Sequence, residues 1–327
     1  MRLAMLCSSY IQFWQPQLRW KQLQHPLLSA DKAQIWVCHL DTGCNAVSGN
    51  KILKLRYALE QTLQQHKAGV FTFGGAFSNH LAAVATACQQ LNLQSTGYVR
   101  TELLDANNPT LAYCQQRGMT LIAIDRNHYR QRHDAEFIAH LQAKHPQLLA
   151  VPEGGSSAVG AAGFSDINFA ATPGGAADLV CCATASGGTI AGLIANMAMP
   201  LNTNVLGLTV VKDDSLKQRI NQLLPEQHYL RQWQLVDDYV GAGYARFDSA
   251  LLQFCRDMAQ QQLFVEPIYT GKALAGLVQL VLQNNLAPTV RRISFFHTGG
   301  LQGLNGLHYR KLITAADLAL LSGSAAG

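Results

Sequence analysis

The chain has 327 residues, of which 48% are hydrophobic and 14% charged, and its net charge is +5. This composition excludes a disordered chain, and the length allows one large or two modest domains with their own cores. The lysines and arginines are scattered, whereas a nucleic-acid partner needs a concentrated basic patch, so none is expected. The mild positive charge indicates only a preference for small anionic molecules.

The eight cysteines form no CxxC pair and show no Cys/His spacing typical of a metal site. They predict reduced, mostly buried thiols in a cytoplasmic protein without a bound metal. Residues 1–7 faintly resemble a lipoprotein signal, but the apolar run is too short for a signal peptide. No run approaches the roughly 18 apolar residues of a membrane span, so no membrane partner is expected.

Strand-like and helical patterns alternate along most of the chain. Short apolar strands are predicted at 70–73, 95–100, 121–124, 178–182, 205–210 and 293–297, and helices at 80–93, 110–117, 134–144 and after Thr189. This alternation predicts an α/β fold with parallel-rich twisted sheets flanked by helices.

Two stretches rich in turn-forming residues, 41–50 and 150–162, interrupt the alternation. If the chain crosses between two units at both, residues 1–54 and 150–327 form a large domain, and residues 55–149 form a small inserted α/β domain. The cleft between two such units is the usual place for a ligand.

Residues 48–55, with the sequence SGNKILKL, place two lysines at a loop-to-helix junction. One interpretation is an ordinary helix start, capped by Ser48 or Asn50, with solvated lysines. The other makes Lys51 an amine that forms a Schiff base. The positive end of the helix dipole and nearby Lys54 would then favour the neutral, nucleophilic form of Lys51.

Residues 74–80, with the sequence GGAFSNH, follow a predicted strand and precede a helix. The backbone donors, the Ser78 hydroxyl and the Asn79 amide suit a carboxylate or phenolate oxygen. A glycine-rich turn in which Ser78 or Asn79 caps the helix explains the same residues.

Residues 186–192, with the sequence SGGTIAG, join a buried strand to an apolar helix. The glycines let backbone N–H groups approach an anion, and the helix N-terminus and the Thr189 hydroxyl add to the attraction. The pattern is neither a nucleotide P-loop nor a dinucleotide fingerprint. It predicts a phosphate cradle, or else a tight turn without a ligand.

Two late segments complete the set of polar motifs. Tyr269 lies in a loop before an apolar helix, and residues 297–300, HTGG, end a buried strand. Taken separately, Tyr269 and Thr298 are typical of packing and capping, and His297 is typical of a hydrogen-bonded core histidine.

In their order and residue types, these segments resemble the tryptophan-synthase-β-like (fold type II) pyridoxal-phosphate enzymes. Within that class they are most similar to the D-cysteine desulfhydrase / 1-aminocyclopropane-1-carboxylate deaminase family. The family motifs GNKxRKL, GGxxSNH, GSGGTxAG, YxGK and HxGG match residues 49–55, 74–80, 186–192, 269–272 and 297–300, and residues 152–156 match the linker. The resemblance covers roughly residues 35–305. It implies a two-domain homodimer with pyridoxal 5'-phosphate (PLP) in the interdomain cleft.

The resemblance also implies a role for each matched residue. Lys51, Ser78 and Tyr269 would be catalytic, with Lys51 joined to the cofactor. The other cofactor-binding residues would be Asn79 at the ring oxygen, Ser186, Gly187, Gly188 and Thr189 at the phosphate, and Thr298 (or Thr270) at the pyridine nitrogen. The small amino-acid substrate would contact Ser78, Asn79, His80, Tyr269 and Thr270.

At four positions this chain has a different residue from some members of that family. Leu53 replaces an arginine, and Ala185 replaces the first glycine of the phosphate loop. Thr270 and Thr298 stand where the cyclopropane-opening deaminases have Glu and Leu, as in the D-cysteine desulfhydrases. The resemblance therefore favours α,β-elimination from a small amino acid to an α-keto acid and ammonia. Ring-opening deamination, serine/threonine-type dehydration and a non-catalytic cofactor- or amino-acid-binding protein are the alternatives.

Overall fold

The computed structural model describes residues 17–29, 31–42, 49–226, 231–241, 243 and 245–324. The strands in these ranges are β1 (Gln17–Gln22), β2 (Gln34–Asp41), β3 (Gly69–Gly75), β4 (Gln94–Arg100), β5 (Met119–Ile124), β6 (Leu148–Ala150), β7 (Ala171–Thr172), β8 (Gly175–Ala176), β9 (Leu179–Thr184), β10 (Asn204–Thr209), β11 (Trp233–Val236) and β12 (Arg292–His297). The helices are α1 (Asn50–Gln64), α2 (Asn79–Gln90), α3 (Pro109–Gln116), α4 (Arg126–Arg130), α5 (Ala135–Lys144), α6 (Ala158–Ala162), α7 (Gly188–Ile194), α8 (Leu216–Leu223), α9 (Ser249–Gln260), α10 (Thr270–Leu282), α11 (Gly303–Tyr309) and α12 (Ala315–Leu321), with a 3-10 turn at Glu153–Gly155.

The larger sheet has the strand order β1-β2-β12-β9-β10-β11. Only the β1–β2 pair is antiparallel, and the other neighbours are parallel. All six residues of the central strand β9 are buried, because helices cover both faces of a parallel sheet. The predicted α/β fold with parallel-rich sheets is confirmed.

The smaller sheet has the order β5-β4-β3-β6, with every pair parallel. It spans residues 69–150, close to the interval predicted for an inserted domain, although the domain boundaries themselves stay a prediction. One core cluster lies within the larger unit and another within the smaller one. A third cluster joins the two units, because it contains Leu55 and Leu59 of α1 together with Val70 of the smaller sheet and Phe296 of the larger one. Helix α1, in which the predicted boundary falls, therefore packs against both units.

The cysteines, the helix lengths and the possible metal ligands among the described residues relate to the predicted compartment and partners. The six cysteines among them are buried and unpaired, while Cys7 and Cys44 lie outside the described residues. In the same ranges no helix is long and apolar enough to cross a membrane. Nor do His, Cys, Asp and Glu side chains there form a group of three that could hold a metal. The cytoplasmic location and the homodimer stay predictions.

Candidate active site

A cavity of about 920 Å³ lies where the carboxyl ends of strands from both sheets meet. Loops that follow parallel strands share one edge of each sheet, so residues far apart in the chain converge there. The predicted site residues in its lining are Lys51, Ser78, Asn79, His80, Ser186, Gly187, Thr189, Tyr269 and Thr298. Gly188 is buried just behind the lining. Thr270 is the one predicted substrate contact that the structure places elsewhere.

Lys51 is positioned by the packing of its motif against the end of β12. Gly49, at φ +93°, is the N-cap of α1, and a Cβ there would collide with the backbone of Thr298. The Asn50 N–H donates to the Thr298 carbonyl (3.2 Å). This junction needs glycine at position 49. Asn50 is the first helical residue and not the cap, and Ser48 lies outside the described residues.

The Lys51 amine is linked to α7 through one side chain. Its Nζ donates to Asn50 Oδ1 (3.0 Å), and Asn50 Nδ2 donates to Thr189 Oγ1 (2.8 Å). Burial lowers the pKa of Lys51 from 10.5 to about 8, because an ammonium loses its hydration there. Near neutral pH a useful fraction of the amine is therefore uncharged and nucleophilic.

This pKa shift predicts a pH-dependent effect of removing Lys51 from the cofactor-free protein. Folded Lys51 binds fewer protons than unfolded Lys51 between about pH 8 and 10.5, so its penalty on folding disappears as pH rises through that window. The advantage in unfolding free energy of Lys51→Met over wild type should be largest below pH 8 and shrink above it. Urea unfolding of both proteins at a series of pH values measures this difference. The buried cysteines are present in both proteins, so their contribution to the pH dependence cancels when one unfolding free energy is subtracted from the other. A pH-independent difference would contradict it.

The predicted phosphate cradle contains a buried lysine, Lys54, whose only role predicted from the sequence was to favour the neutral form of Lys51. Lys54 is 2% exposed. Its Nζ donates to the Gly154 carbonyl and to Ser156 Oγ (both 3.0 Å), and more weakly to Ser186 Oγ (3.4 Å). Burial, and then the charge of Lys51, holds the pKa of Lys54 well below its usual value. The i, i+3 spacing of the two lysines on one helix was the available signal.

The cradle fits an anion. Gly187 has φ +86°, and a Cβ on Gly188 would come within 2.9 Å of the Lys54 amine. In the described part of the chain Lys54 has no ion-pair partner. A buried lone cation is costly unless an anion compensates it, and a helix N-terminus beside it attracts the same charge.

The loop before α2 carries Ser78 and Asn79 into the cavity. Ser78 is the N-cap, and its Oγ accepts from Leu81 N (3.4 Å). Ser78 therefore caps α2, as one of the two interpretations predicted, and its side chain also lines the cavity. The Asn79 amide lies against Gly300 (φ +103°), where a Cβ would approach Asn79 Nδ2 to 2.9 Å. Asn79 thus joins the loop to the final glycine motif.

His80 offers an acceptor and not a donor. Thr72 Oγ1 donates its only proton to the Val151 carbonyl (2.8 Å), so it must accept from His80 Nε2 (2.8 Å). Burial and the charges of Lys51 and Lys54 hold the pKa of His80 well below its usual range, which leaves Nδ1 unprotonated. That buried Nδ1 has no partner in the described residues. A neutral acceptor does not attract a carboxylate, so the side chain is unsuited to the predicted substrate contact.

Tyr269 reaches the cavity because a buried carboxylate organises its loop. Glu266 is 2% exposed and accepts from the N–H groups of Ile268, Tyr269 and Thr270 at 2.7–3.0 Å. Burial raises the pKa of Glu266 to about 7. Thr270 is fully buried, and its hydroxyl donates to Glu266 (3.1 Å) instead of facing the cavity. Glu266 is not among the site residues predicted from the sequence, although its place three residues before Tyr269 was the available signal.

Because Thr270 contacts Glu266, replacing it with glutamate should destabilise the fold and not reshape the substrate site. Thr270→Glu places a second carboxyl against a buried one, which should cost about 3 kcal/mol or more of unfolding free energy. Thr270→Ser keeps the hydroxyl and should stay within about 1 kcal/mol of wild type. Urea unfolding measures both. A Glu variant as stable as the Ser variant would show that position 270 faces open space.

PLP has the two groups that this cavity is built to hold, an aldehyde that reacts with a neutral amine and a phosphate that needs a cradle and a counter-cation. Lys51 would hold the first, and Gly187, Gly188, Thr189 and Lys54 the second. The fold and site thus define a PLP enzyme with parallel sheets on both sides of its cleft. The chain belongs to the family described as "Pyridoxal-phosphate dependent enzyme", whose model matches residues 23–299.

Several proteins with named activities are similar to this chain. A mitochondrial bifunctional D-cysteine desulfhydrase/1-aminocyclopropane-1-carboxylate deaminase of Arabidopsis thaliana is 30% identical over 83% of this chain and 73% of its own. A D-cysteine desulfhydrase of Klebsiella pneumoniae is 27% identical over 84% and 89%. Among solved structures, an "ACC deaminase homologue" aligns over 97% of this chain and 99% of its own, with a TM-score of 0.73 and 23% identity. The predicted family resemblance and the PLP cofactor are confirmed.

Proposed function

We propose that this enzyme catalyses α,β-elimination from a small amino acid in the manner of a D-cysteine desulfhydrase. The products are an α-keto acid, ammonia and the departing thiol or a similar group. The names of the relatives support this choice, as does threonine at position 298. A cytoplasmic location, which the free buried cysteines support, and a homodimer, which the family resemblance implies, belong to the same proposal.

The observation that carries the proposal is the absence of a free carboxylate from the described lining of the cavity. Glu153 and Asp213 are the acidic side chains there, and each is ion-paired, with Arg132 and Arg219 respectively. Thr298 then offers a hydroxyl for the pyridine nitrogen. A hydroxyl leaves that nitrogen unprotonated and the ring a weaker electron sink than a carboxylate would. Such a ring favours rapid loss of a good β leaving group over slower reactions.

The chain's own residues have distinct tasks in this proposal. Bound PLP supplies the electron sink that stabilises negative charge at the substrate Cα. Lys51 in its neutral form, or Tyr269, takes the Cα proton. The Ser78–Asn79 segment, at the N-terminus of α2, binds and orients the α-carboxylate.

Assays on the purified holoenzyme test the proposal. We expect pyruvate from D-cysteine, with slower or no release from L-cysteine and D-serine, and little 2-oxobutanoate from 1-aminocyclopropane-1-carboxylate. Faster 2-oxobutanoate formation would favour the ring-opening activity in the name of the Arabidopsis relative. A yellow protein that is inert toward the whole panel would contradict elimination and favour a binding protein.

A further inference from the structure

The cavity lining contains more cations than the lysines assigned to the cofactor and the arginines that are ion-paired. Lys51 and Lys54 are assigned to the cofactor, and the arginines paired with Glu153 and Asp213 are neutralised. Arg100, Lys212 and Arg310 also line the cavity. Within the described ranges none of these three forms an ion pair. This surplus attracts a ligand with an additional negative charge.

Arg100 is the surplus cation nearest to the segment assigned to the α-carboxylate. It ends β4 directly opposite Gly75 of β3, and a Cβ on Gly75 would be 3.7 Å from its guanidinium. The Ser78 N–H donates to the Gly75 carbonyl (3.0 Å), so a turn brings Ser78 back to within about 7 Å of Gly75, Cα to Cα. An amino acid bound at Ser78 thus has its remaining groups within reach of Arg100.

The Arg100 guanidinium is held in place without using its donors. It lies over the ring of Tyr129, 5.2 Å from the centroid. The Tyr129 hydroxyl donates to Glu153, which also pairs with Arg132. A contact with a ring face leaves the N–H groups of the guanidinium available. Arg100 is paired with β3 and β5 through its backbone, and its side chain makes no hydrogen bond in the part of the chain that the structure describes. A pre-oriented fork of this kind suits bidentate binding of an oxyanion.

We propose that the departing group on the substrate's β carbon carries a second negative charge, such as a carboxylate, and that Arg100 binds it. This inference deepens the proposed function, because it rests on the assignment of the α-carboxylate to the Ser78 segment and names the substrate class. Arg100 is then a specificity-determining residue, and Lys212 and Arg310 add attraction of the same sign.

Calorimetric titration of the holoenzyme with isosteric pairs tests this proposal without requiring turnover. The pairs are aspartate with asparagine and glutamate with glutamine, each as both enantiomers. We expect at least one acidic member to bind roughly 10- to 100-fold tighter than its amide. Arg100→Gln should reduce that ratio to near 1, with amide binding changed less than about threefold, and Arg100→Lys should keep part of it. Arg117→Gln is the matched control, because Arg117 also lies over a tyrosine ring but does not line the cavity.

Wild-type protein that binds no acidic member, or binds acids and amides equally, overturns the inference, as does a ratio that survives Arg100→Gln. The two proposals fail separately. An acid/amide ratio that depends on Arg100, with no keto acid from any substrate, would reject elimination alone. Pyruvate release from D-cysteine without any such ratio would reject the Arg100 site alone.

Discussion

Replacing Lys51 with alanine should lower keto-acid formation by at least about 10⁴-fold, the scale seen when a covalent catalytic group is removed. The lysine would hold the cofactor and is, with Tyr269, one of the two candidates for taking the Cα proton. The neighbouring Lys54 amine cannot replace Lys51, because it is bound by Gly154, Ser156 and Ser186. The purified variant should also lack the visible absorbance of a lysine-bound cofactor.

Borohydride reduction of the wild-type holoenzyme, followed by peptide mass spectrometry, identifies the attachment site independently of activity. The cofactor mass should appear on the peptide that contains Lys51, at residue 51 and not at residue 54. Lys144→Ala, at an exposed position at the end of α5, is the control and should match wild type in colour and rate. A Lys51→Ala protein that stays yellow and active would remove the basis of the proposed function.

Replacing Lys54 with methionine should move cofactor affinity and protein stability in opposite directions. Without the buried cation, the phosphate loses its counter-charge, and the dissociation constant for PLP should rise by about 10²- to 10³-fold. The cofactor-free protein no longer buries a lone ammonium, and the methionine fills similar space. Its unfolding free energy should therefore rise by about 1–3 kcal/mol.

Fluorescence titration with PLP and urea unfolding of the cofactor-free protein measure the two effects separately. Lys54→Arg retains the charge and should lose far less affinity than Lys54→Met. A methionine variant with unchanged PLP affinity would show that Lys54 does not face the phosphate. A large loss of stability in the cofactor-free form would show that its hydrogen bonds outweigh the cost of its burial.

Strands in the middle of the parallel sheets were predicted, whereas β1 and β2 were not. The first five residues of β9 form an uninterrupted apolar run, as expected of a strand that is covered on both faces. β1 is polar and only partly buried, and its partner β2 alternates irregularly between exposed and buried residues. These two strands form because β2 pairs with β12 and β1 with β2. The polar sequence of β1 gives no local signal of this pairing, whereas the apolar run at residues 35–38 was an available signal for β2.

The order and residue types of the motifs were enough to predict the PLP family, the lysine at position 51 and the glycine-rich cradle. These features are local, because a strand, a glycine turn and a helix N-terminus follow one another within a few residues. Only the tertiary structure showed that Lys54 faces Ser186, that Thr270 turns to Glu266 and that Arg100 borders Gly75. Burial and charge compensation depend on neighbours that the fold brings together from distant parts of the chain, and the sequence alone does not contain those distances.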